Sequence, residues 1–264
     1  MKILEFNSLL EQSSIKKLFS IFDNEKIDIK LVGGCIRDSL LNIETKDIDL
    51  AVNSEPHKVI EILKEFNIKY DDYAYKYGSV TAYIDNYKLQ ITSLREDINQ
   101  IGRHTNIKFT SDWKKDAQRR DFTINAIYLS PKGKIQDYFN GVKDLEKKEL
   151  NFIGNPEDRI KEDYLRIFRY FRFLGCYDKI YNSVNNENII DNFINHSFNY
   201  LSNDIIRREI LKMFNMPFSL NCFYEDISER KKRKWIEITK SHFLKTKYDL
   251  GLNKCLNKID FLIN

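Results

Sequence analysis

The sequence predicts a mixed α+β head over residues 1–140 followed by an all-helical remainder over residues 141–264. Three observations carry this division. Short strand-like runs, "IKLV", "DIDLAV", "GSVTAYID" and "YKLQITSL", alternate with helical periodicity in the first half. From about residue 156 the apolar residues recur at helical spacing almost to the end. No internal repeat and no low-complexity linker separates the halves, so the expected boundary is a packed junction.

Taken in order, the N-terminal "MKILEFNSLLEQSSIKKLF" reads as an amphipathic helix. It lacks the long apolar core and small-residue cleavage site of a signal peptide. "IKLV" is a short strand that runs into Gly33-Gly34, and "CIRDSLL" opens a helix behind the glycines. "DIDLAV" (47–52) is a strand. "EPHKVIEILKEF" (55–66) carries apolar residues at 59, 60, 62, 63 and 66, a helical pattern. "GSVTAYID" and "YKLQITSL" form a hairpin across Asp85-Asn86. Residues 95–111 are polar without a clear period and read as a mobile loop.

Composition excludes several classes. Apolar content of 42% supports real cores, and no apolar run approaches a membrane span of about 18 residues. Cys35, Cys176, Cys222 and Cys255 are scattered without paired metal-ligand spacing, which favours reduced thiols in a cytoplasmic setting over structural zinc. The net charge is only +4, but five consecutive basic residues, Arg230, Lys231, Lys232, Arg233 and Lys234, stand in "ERKKRKW". They fit either a solvated helix face or a contact to RNA phosphates.

Two short stretches carry the chemistry. Side chains alternate faces along a strand, so Asp47 and Asp49 point the same way while Ile48, Leu50 and Val52 point into a core. Paired carboxylates on one face repel unless a cation sits between them, and hard oxygen ligands at this spacing suit Mg²⁺. Taken alone, Asp-x-Asp also fits a solvent-facing edge strand. The context tips the balance. Gly33 and Gly34 lie between a strand and a helix, where glycine lets the backbone approach a ligand and a helix N-terminus offers N–H groups to phosphate. Arg37 stands close behind to add a charge-assisted contact. A phosphate cradle followed by a metal-binding carboxylate pair is the apparatus of nucleotidyl transfer.

In order and spacing, "GGCIRDSLL…KDIDLAV", "DAQRRDFTINAIYL" (116–129) and "RIKEDYLRIFRYFRF" (159–173) resemble the signature blocks of class II tRNA nucleotidyltransferases, the CCA-adding enzymes, whose family includes bacterial poly(A) polymerases. The resemblance implies a DNA-polymerase-β-like nucleotidyltransferase sheet in the head, then a helical neck and a shortened body. It implies addition of C, C and A to tRNA 3′ ends from CTP and ATP without a nucleic-acid template. In the second block it implies a triphosphate-binding arginine, either Arg119 or Arg120. In the third it implies base selection by Asp163 and Arg166, with Arg169 and Arg172 in support. Chemically, an aspartate accepts from the exocyclic amine of C or A, and an arginine donates to a ring nitrogen or carbonyl oxygen. On one continuous helix, Asp163, Arg166, Arg169 and Arg172 would share a polar face, with Ile167, Phe168, Phe171 and Leu174 packing opposite. The alternatives are a partial enzyme adding only CC or A, a poly(A) polymerase, or a non-catalytic RNA-binding remnant.

Some positions depart from the family pattern. "YKLQITSL" offers Gln90 where many relatives carry a third carboxylate, so either Asp121 helps or two carboxylates suffice. "SNDII" replaces the usual Ser-x-Glu-Arg of a later block. Longer members carry tail helices that grip tRNA; the expectation here is that most of that tail is missing and that the basic run at 230–234 takes up the task. The stretch 95–109 matches a family loop that assists the switch to A, which favours full CCA addition.

Overall fold

The structure, a computed structural model, describes residues 7–45, 47–101, 104–179 and 184–245. They form two compact units: one runs to Asn99 and resumes over Thr105–Glu146, the other takes 100–104 and the chain from Lys147. Cys255 lies outside the described residues; Cys35, Cys176 and Cys222 are buried free thiols.

The first unit begins with helices α1 (Asn7–Leu10) and α2 (Ser13–Asn24), then β1 (Ile29–Val32), α3 (Gly34–Leu40), β2 (Ile48–Val52) and α4 (Pro56–Glu65). Next come β3 (Lys69–Asp71), β4 (Ser79–Ile84), β5 (Tyr87–Ser93), β6 (Arg95–Ile101), β7 (His104–Phe109), α5 (Trp113–Gln118), β8 (Ile127–Leu129), β9 (Ile135–Asp137) and α6 (Gly141–Lys147). α2 buries Ile15, Leu18, Phe19 and Phe22, an apolar stripe at helical spacing. α4 opens on Pro56, whose fixed φ suits a first turn, and buries Val59, Ile62 and Leu63.

Seven strands make one sheet in the order β3-β4-β5-β2-β1-β8-β9. Only the β2–β5 pair is parallel; α4 and the β3–β4 strands supply the long connection a parallel pair requires. Val80, Ala82, Leu89 and Ile91 are buried on one face of the β4–β5 hairpin, while Tyr83, Lys88 and Gln90 stand on the other. The hairpin turns at Asp85 and Asn86, both at positive φ (50° and 67°), the handedness that matches strand twist in a two-residue turn. The Ser13 hydroxyl donates to Asp85 Oδ2 at 3.0 Å and pins that turn against α2.

Within residues 95–111, read from the sequence as a mobile loop, Arg95–Ile101 and His104–Phe109 instead form a two-stranded ribbon, β6 and β7. Its roots are fixed: Leu94 N–H donates to Val52 O and Thr110 N–H to Leu94 O, both at 3.0 Å. Along β7, Asn106 and Lys108 are exposed while Ile107 and Phe109 are half-buried. That alternation was obscured by the polar residues of β6.

The second unit holds α7 (Pro156–Glu162), α8 (Leu165–Leu174), α9 (Val184–Tyr200), α10 (Asn203–Met213), α11 (Leu220–Phe223), β10 (Tyr224–Asp226), β11 (Lys231–Lys232) and α12 (Lys234–Lys245). Its core is aromatic: Trp235 stacks on Phe171 at 5.3 Å and meets Phe168 edge-on at 5.9 Å. A side chain at Gly175 would come within 2.6 Å of both Cys222 Sγ and Met216 Cβ, so the end of α8 packs too closely there for a larger residue.

Two expectations for this half are corrected. It is not all helix, since β10 and β11 pair antiparallel. Nor is the basic run one solvated helix face: Arg230 sits in a turn at φ 53°, Lys231 and Lys232 form β11, and Lys234 starts α12. No helix among the described residues is long and apolar enough to cross a membrane.

Candidate functional site

Gly33 ends β1 with φ 77°, a conformation that favours glycine, and its N–H donates to Ile127 O at 3.1 Å. A Cβ there would lie 3.4 Å from both Arg120 Nη1 and Asn125 O, closer than most side chains accept. At Gly34 a Cβ would meet only Arg37 Nη2 at 3.7 Å, an ordinary contact. The first glycine therefore keeps open the space between the β1–α3 turn and Arg120.

Arg37 is buried and held from two sides. Its Nη1 donates to Asn125 Oδ1 at 2.6 Å, and its Nε donates to Asp38 Oδ1 at 2.8 Å. Asn125 is oriented in turn, its Nδ2 donating to Asp121 Oδ1 at 3.0 Å, while Phe122 N–H donates to the same oxygen at 2.9 Å. Asp121 thus anchors Arg37 through Asn125, a structural task distinct from the metal-side one weighed for it above.

Asp49 stands on β2 and is half-buried; Asp47 precedes the strand and is exposed. Burial is the largest influence on Asp49 and raises its carboxyl above the usual aspartate range. Arg120 opposes that rise, Asp47 adds to it, and Arg37 and Lys88 oppose it further. Among the described residues no side-chain hydrogen bond or ion pair engages the Asp49 carboxylate. A half-desolvated carboxylate without a partner, beside a second one, fits a hard divalent cation. Gln90 pairs with Asp49 in the parallel β2–β5 register, so its amide stands on the same face. Three-carboxylate clusters are absent among the described residues. The donor set is two carboxylates with a neutral oxygen within reach.

Of the two candidate arginines, Arg120 faces this space: its guanidinium lies against Gly33 and is the strongest charge acting to keep Asp49 ionised. Arg119 turns to Asp116, with Nε to Oδ1 at 2.9 Å, and acts on Arg95 as a like charge. Asp116, 1% exposed, also accepts from Arg120 Nη2 at 3.2 Å, Tyr128 Oη at 2.7 Å and Arg95 N–H at 3.3 Å. Those positive charges and donors outweigh its burial and hold its carboxyl down at about 2.

The first unit therefore brings together Gly33, Gly34, Arg37, Asp49 and Arg120, with Asp47 just ahead of the strand. Asp163, Arg166, Arg169 and Arg172 belong to the second unit. There the expected continuous polar face is corrected: α7 ends at Glu162, and Asp163 is extended at φ −151°. Its Oδ1 accepts Leu165 N–H at 3.0 Å, a local bond that competes with helix continuation and starts α8 afresh. Arg166 is buried, its Nη1 donating to Arg159 O and to Glu162 Oε2, both at 2.7 Å. Ile167, Phe168, Phe171 and Leu174 pack as expected. Arg169 lies over Phe173 at 5.3 Å. Arg172 lies over the same ring at 4.1 Å and donates from Nε to buried Glu209 at 2.7 Å, which ties α8 to α10.

The basic run is largely engaged with acids. Lys231 pairs with Glu225, buried Arg233 with Glu187, and Lys234 with Asp191 at 3.4 Å. In the run expected as an RNA contact, Arg233 lies inside the fold while Lys231 and Lys234 keep exposed side chains beside their acidic partners.

Sequence reasoning missed Asp116, Asn125 and Asp38. Asp116 carried a legible signal: it precedes Arg119 and Arg120 by three and four positions, the spacing of helical ion pairs.

Residues 29–151 match the family described as the poly A polymerase head domain. Human mitochondrial CCA tRNA nucleotidyltransferase 1 is 41% identical over 172 residues, covering 65% of this chain and 39% of that protein. A CCA-adding enzyme of Lactobacillus johnsonii is 34% identical over 194 residues, covering 73% of this chain and 47% of that one. The chain thus spans under half the length of these relatives. The structure is similar to that of the Bacillus stearothermophilus CCA-adding enzyme in complex with CTP, with a TM-score of 0.69 at 26% identity over 84% of this chain and 51% of that one.

Proposed function

The chain belongs, through residues 29–151, to the class II family of tRNA nucleotidyltransferases and poly(A) polymerases, and on that premise we propose that it is a template-independent tRNA nucleotidyltransferase completing CCA ends from CTP and ATP. The observation that carries this reading is the convergence of Gly33, Arg37 and Arg120 on the side of Asp49, whose carboxylate has no hydrogen-bond or ion-pair partner among the described residues.

In this reading the triphosphate lies along the open backbone at Gly33, with Arg120 and Arg37 neutralising its charge. Asn125 and Asp38 fix Arg37, so its guanidinium needs no reorganisation as nucleotide binds. Asp47 and Asp49 would hold Mg²⁺, which would supply charge to the phosphates and acidity to the attacking hydroxyl. The terminal 3′-hydroxyl of tRNA attacks the α-phosphorus and pyrophosphate leaves. Asp163 accepts from the exocyclic amine shared by C and A, and Arg166 donates to the ring edge. Arg169 and Arg172 keep α8 in place beneath them.

The test is incubation with tRNA lacking CCA and labelled CTP and ATP, separately and together. Two C additions with CTP alone and one A only after them support the reading. A run of A from ATP alone would make it a poly(A) polymerase. No incorporation would leave it a binding protein.

A further inference from the structure

Asp116 touches neither the carboxylate pair nor the glycine turn, yet four groups from three segments converge on it. Its Oδ1 receives Arg119 Nε from its own helix and Arg95 N–H from the root of the β6–β7 ribbon. Its Oδ2 receives Tyr128 Oη from β8 and Arg120 Nη2. Lys115, next to it on α5, pairs with Glu96 on the ribbon at 3.1 Å, a second tie between the same two elements. Arg120 Nη1 continues to Asn125 O at 3.4 Å, and its guanidinium lies against Gly33. The side chain of Arg95, half-buried near Arg119 and Arg120, is held well below the usual arginine range, chiefly by desolvation and then by Arg119. Asp116 thus holds the guanidinium ions of Arg119 and Arg120 and the backbone of Arg95, whose own guanidinium pairs with Asp97 at 3.5 Å.

We infer that Asp116 is a positioning residue that fastens the root of the β6–β7 ribbon and the triphosphate-facing Arg120 to a single carboxylate, so that nucleotide in the cradle and the placement of the ribbon are coupled. The inference rests on the proposed nucleotide site. It assigns the ribbon a ligand-dependent position that a purely structural salt bridge would not give it. Anion bound at Arg120 draws that guanidinium toward Gly33 and away from Oδ2. The carboxylate then shifts its weight to Arg119 and the Arg95 N–H, which tightens the ribbon root.

The test is Asp116→Asn, which keeps the volume and removes the charge, measured for CTP binding and steady-state kinetics. The expected result is a rise in the CTP KM of at least about tenfold with a much smaller change in kcat, because Arg120 is mispositioned while Asp47 and Asp49 are untouched. A variant that is merely less stable would lose active fraction, hence apparent kcat, at unchanged KM. The second readout is tryptic cleavage between Arg95 and Lys108: CTP slows it in the parent and fails to slow it in Asp116→Asn. If Asp116→Asn does not fold, Tyr128→Phe takes its place; it removes one donor from Oδ2 together with the hydrogen bond between Tyr128 and Arg120, and keeps both arginine side chains. Its expected CTP KM is about threefold higher. An unchanged KM, or equal CTP protection in parent and variant, overturns the inference. A parent that binds no CTP overturns the proposed function as well.

Discussion

Asp49 and Gln90 face each other across the only parallel strand pair of the sheet, and both present their side chains away from the apolar core. The cation proposed for Asp49 would therefore have a neutral amide as its neighbour on β5. Gln90→Glu places a charge there. At that separation it should lower the Mg²⁺ concentration for half-maximal nucleotide addition by about tenfold. A magnesium titration of the variant checks this; an unchanged midpoint would move the ion away from β5.

Asp49→Asn should reduce nucleotide addition by about a hundredfold or more while making the metal-free protein more stable at neutral pH. The sign follows from the raised carboxyl. Between the ordinary aspartate range and the raised value, the folded state holds more protons than the unfolded one, so stability falls as pH rises through that window. Asparagine removes that penalty. Thermal midpoints without metal should favour the variant at pH 7, and the gap should close below about pH 4. A variant less stable than the parent at pH 7 contradicts the unpartnered carboxylate.

Base choice and triphosphate grip should separate by mutation. Asp163→Ala should lose discrimination against UTP and GTP, whereas Arg120→Ala should weaken all four nucleotides alike. Asp163 also accepts Leu165 N–H, and losing that bond costs about 1 kcal/mol of helix stability. The ratio of rates between nucleotides is unaffected by that cost, so selectivity is the quantity to measure. Equal slowing of all four by Asp163→Ala would make that residue a helix-start residue alone.

Arg233→Ala should destabilise the second unit by about 3–5 kcal/mol, because Glu187 is left without its buried partner. Denaturant unfolding measures this. The same variant should leave the salt dependence of tRNA binding unchanged. A flatter salt slope at intact stability would restore the run as an RNA contact.

β1, β2, α4 and the β4–β5 hairpin were legible because each carries one period and ends on a turn signal, as at Asp85-Asn86, whereas β3, β8 and β9, three residues each, are too short to show one. The β6–β7 ribbon was not, since a two-stranded element outside the core needs no buried face and so leaves little hydrophobic pattern. The break at Asp163 was hidden for another reason: a three-residue spacing looks the same whether or not one side chain bonds its own backbone. At the site, the glycines, arginines and aspartates were visible as chemistry. What chose between Arg119 and Arg120 was geometry, the open side of Gly33, which lies 87 positions from Arg120 along the chain. The ion pairs of the basic run were not legible because its partners, Glu187, Asp191 and Glu225, come from other elements.

β1 lies between β2 and β8, pairing Leu31 with Leu50 on one side and with Leu129 on the other. During synthesis β2 is available almost at once, but β8 emerges about a hundred residues after β1. Until then "IKLV", buried along its whole length in the finished sheet, is an unprotected edge ready to pair with another chain. The same delay keeps Arg120 and Asn125 away from the aspartates. A nascent chain shorter than about 130 residues therefore has a sticky sheet and no nucleotide cradle, and the arrival of β8 seals the edge and completes the site in one event. CTP or ATP, binding only what β8 has closed, would pull late folding intermediates forward by mass action.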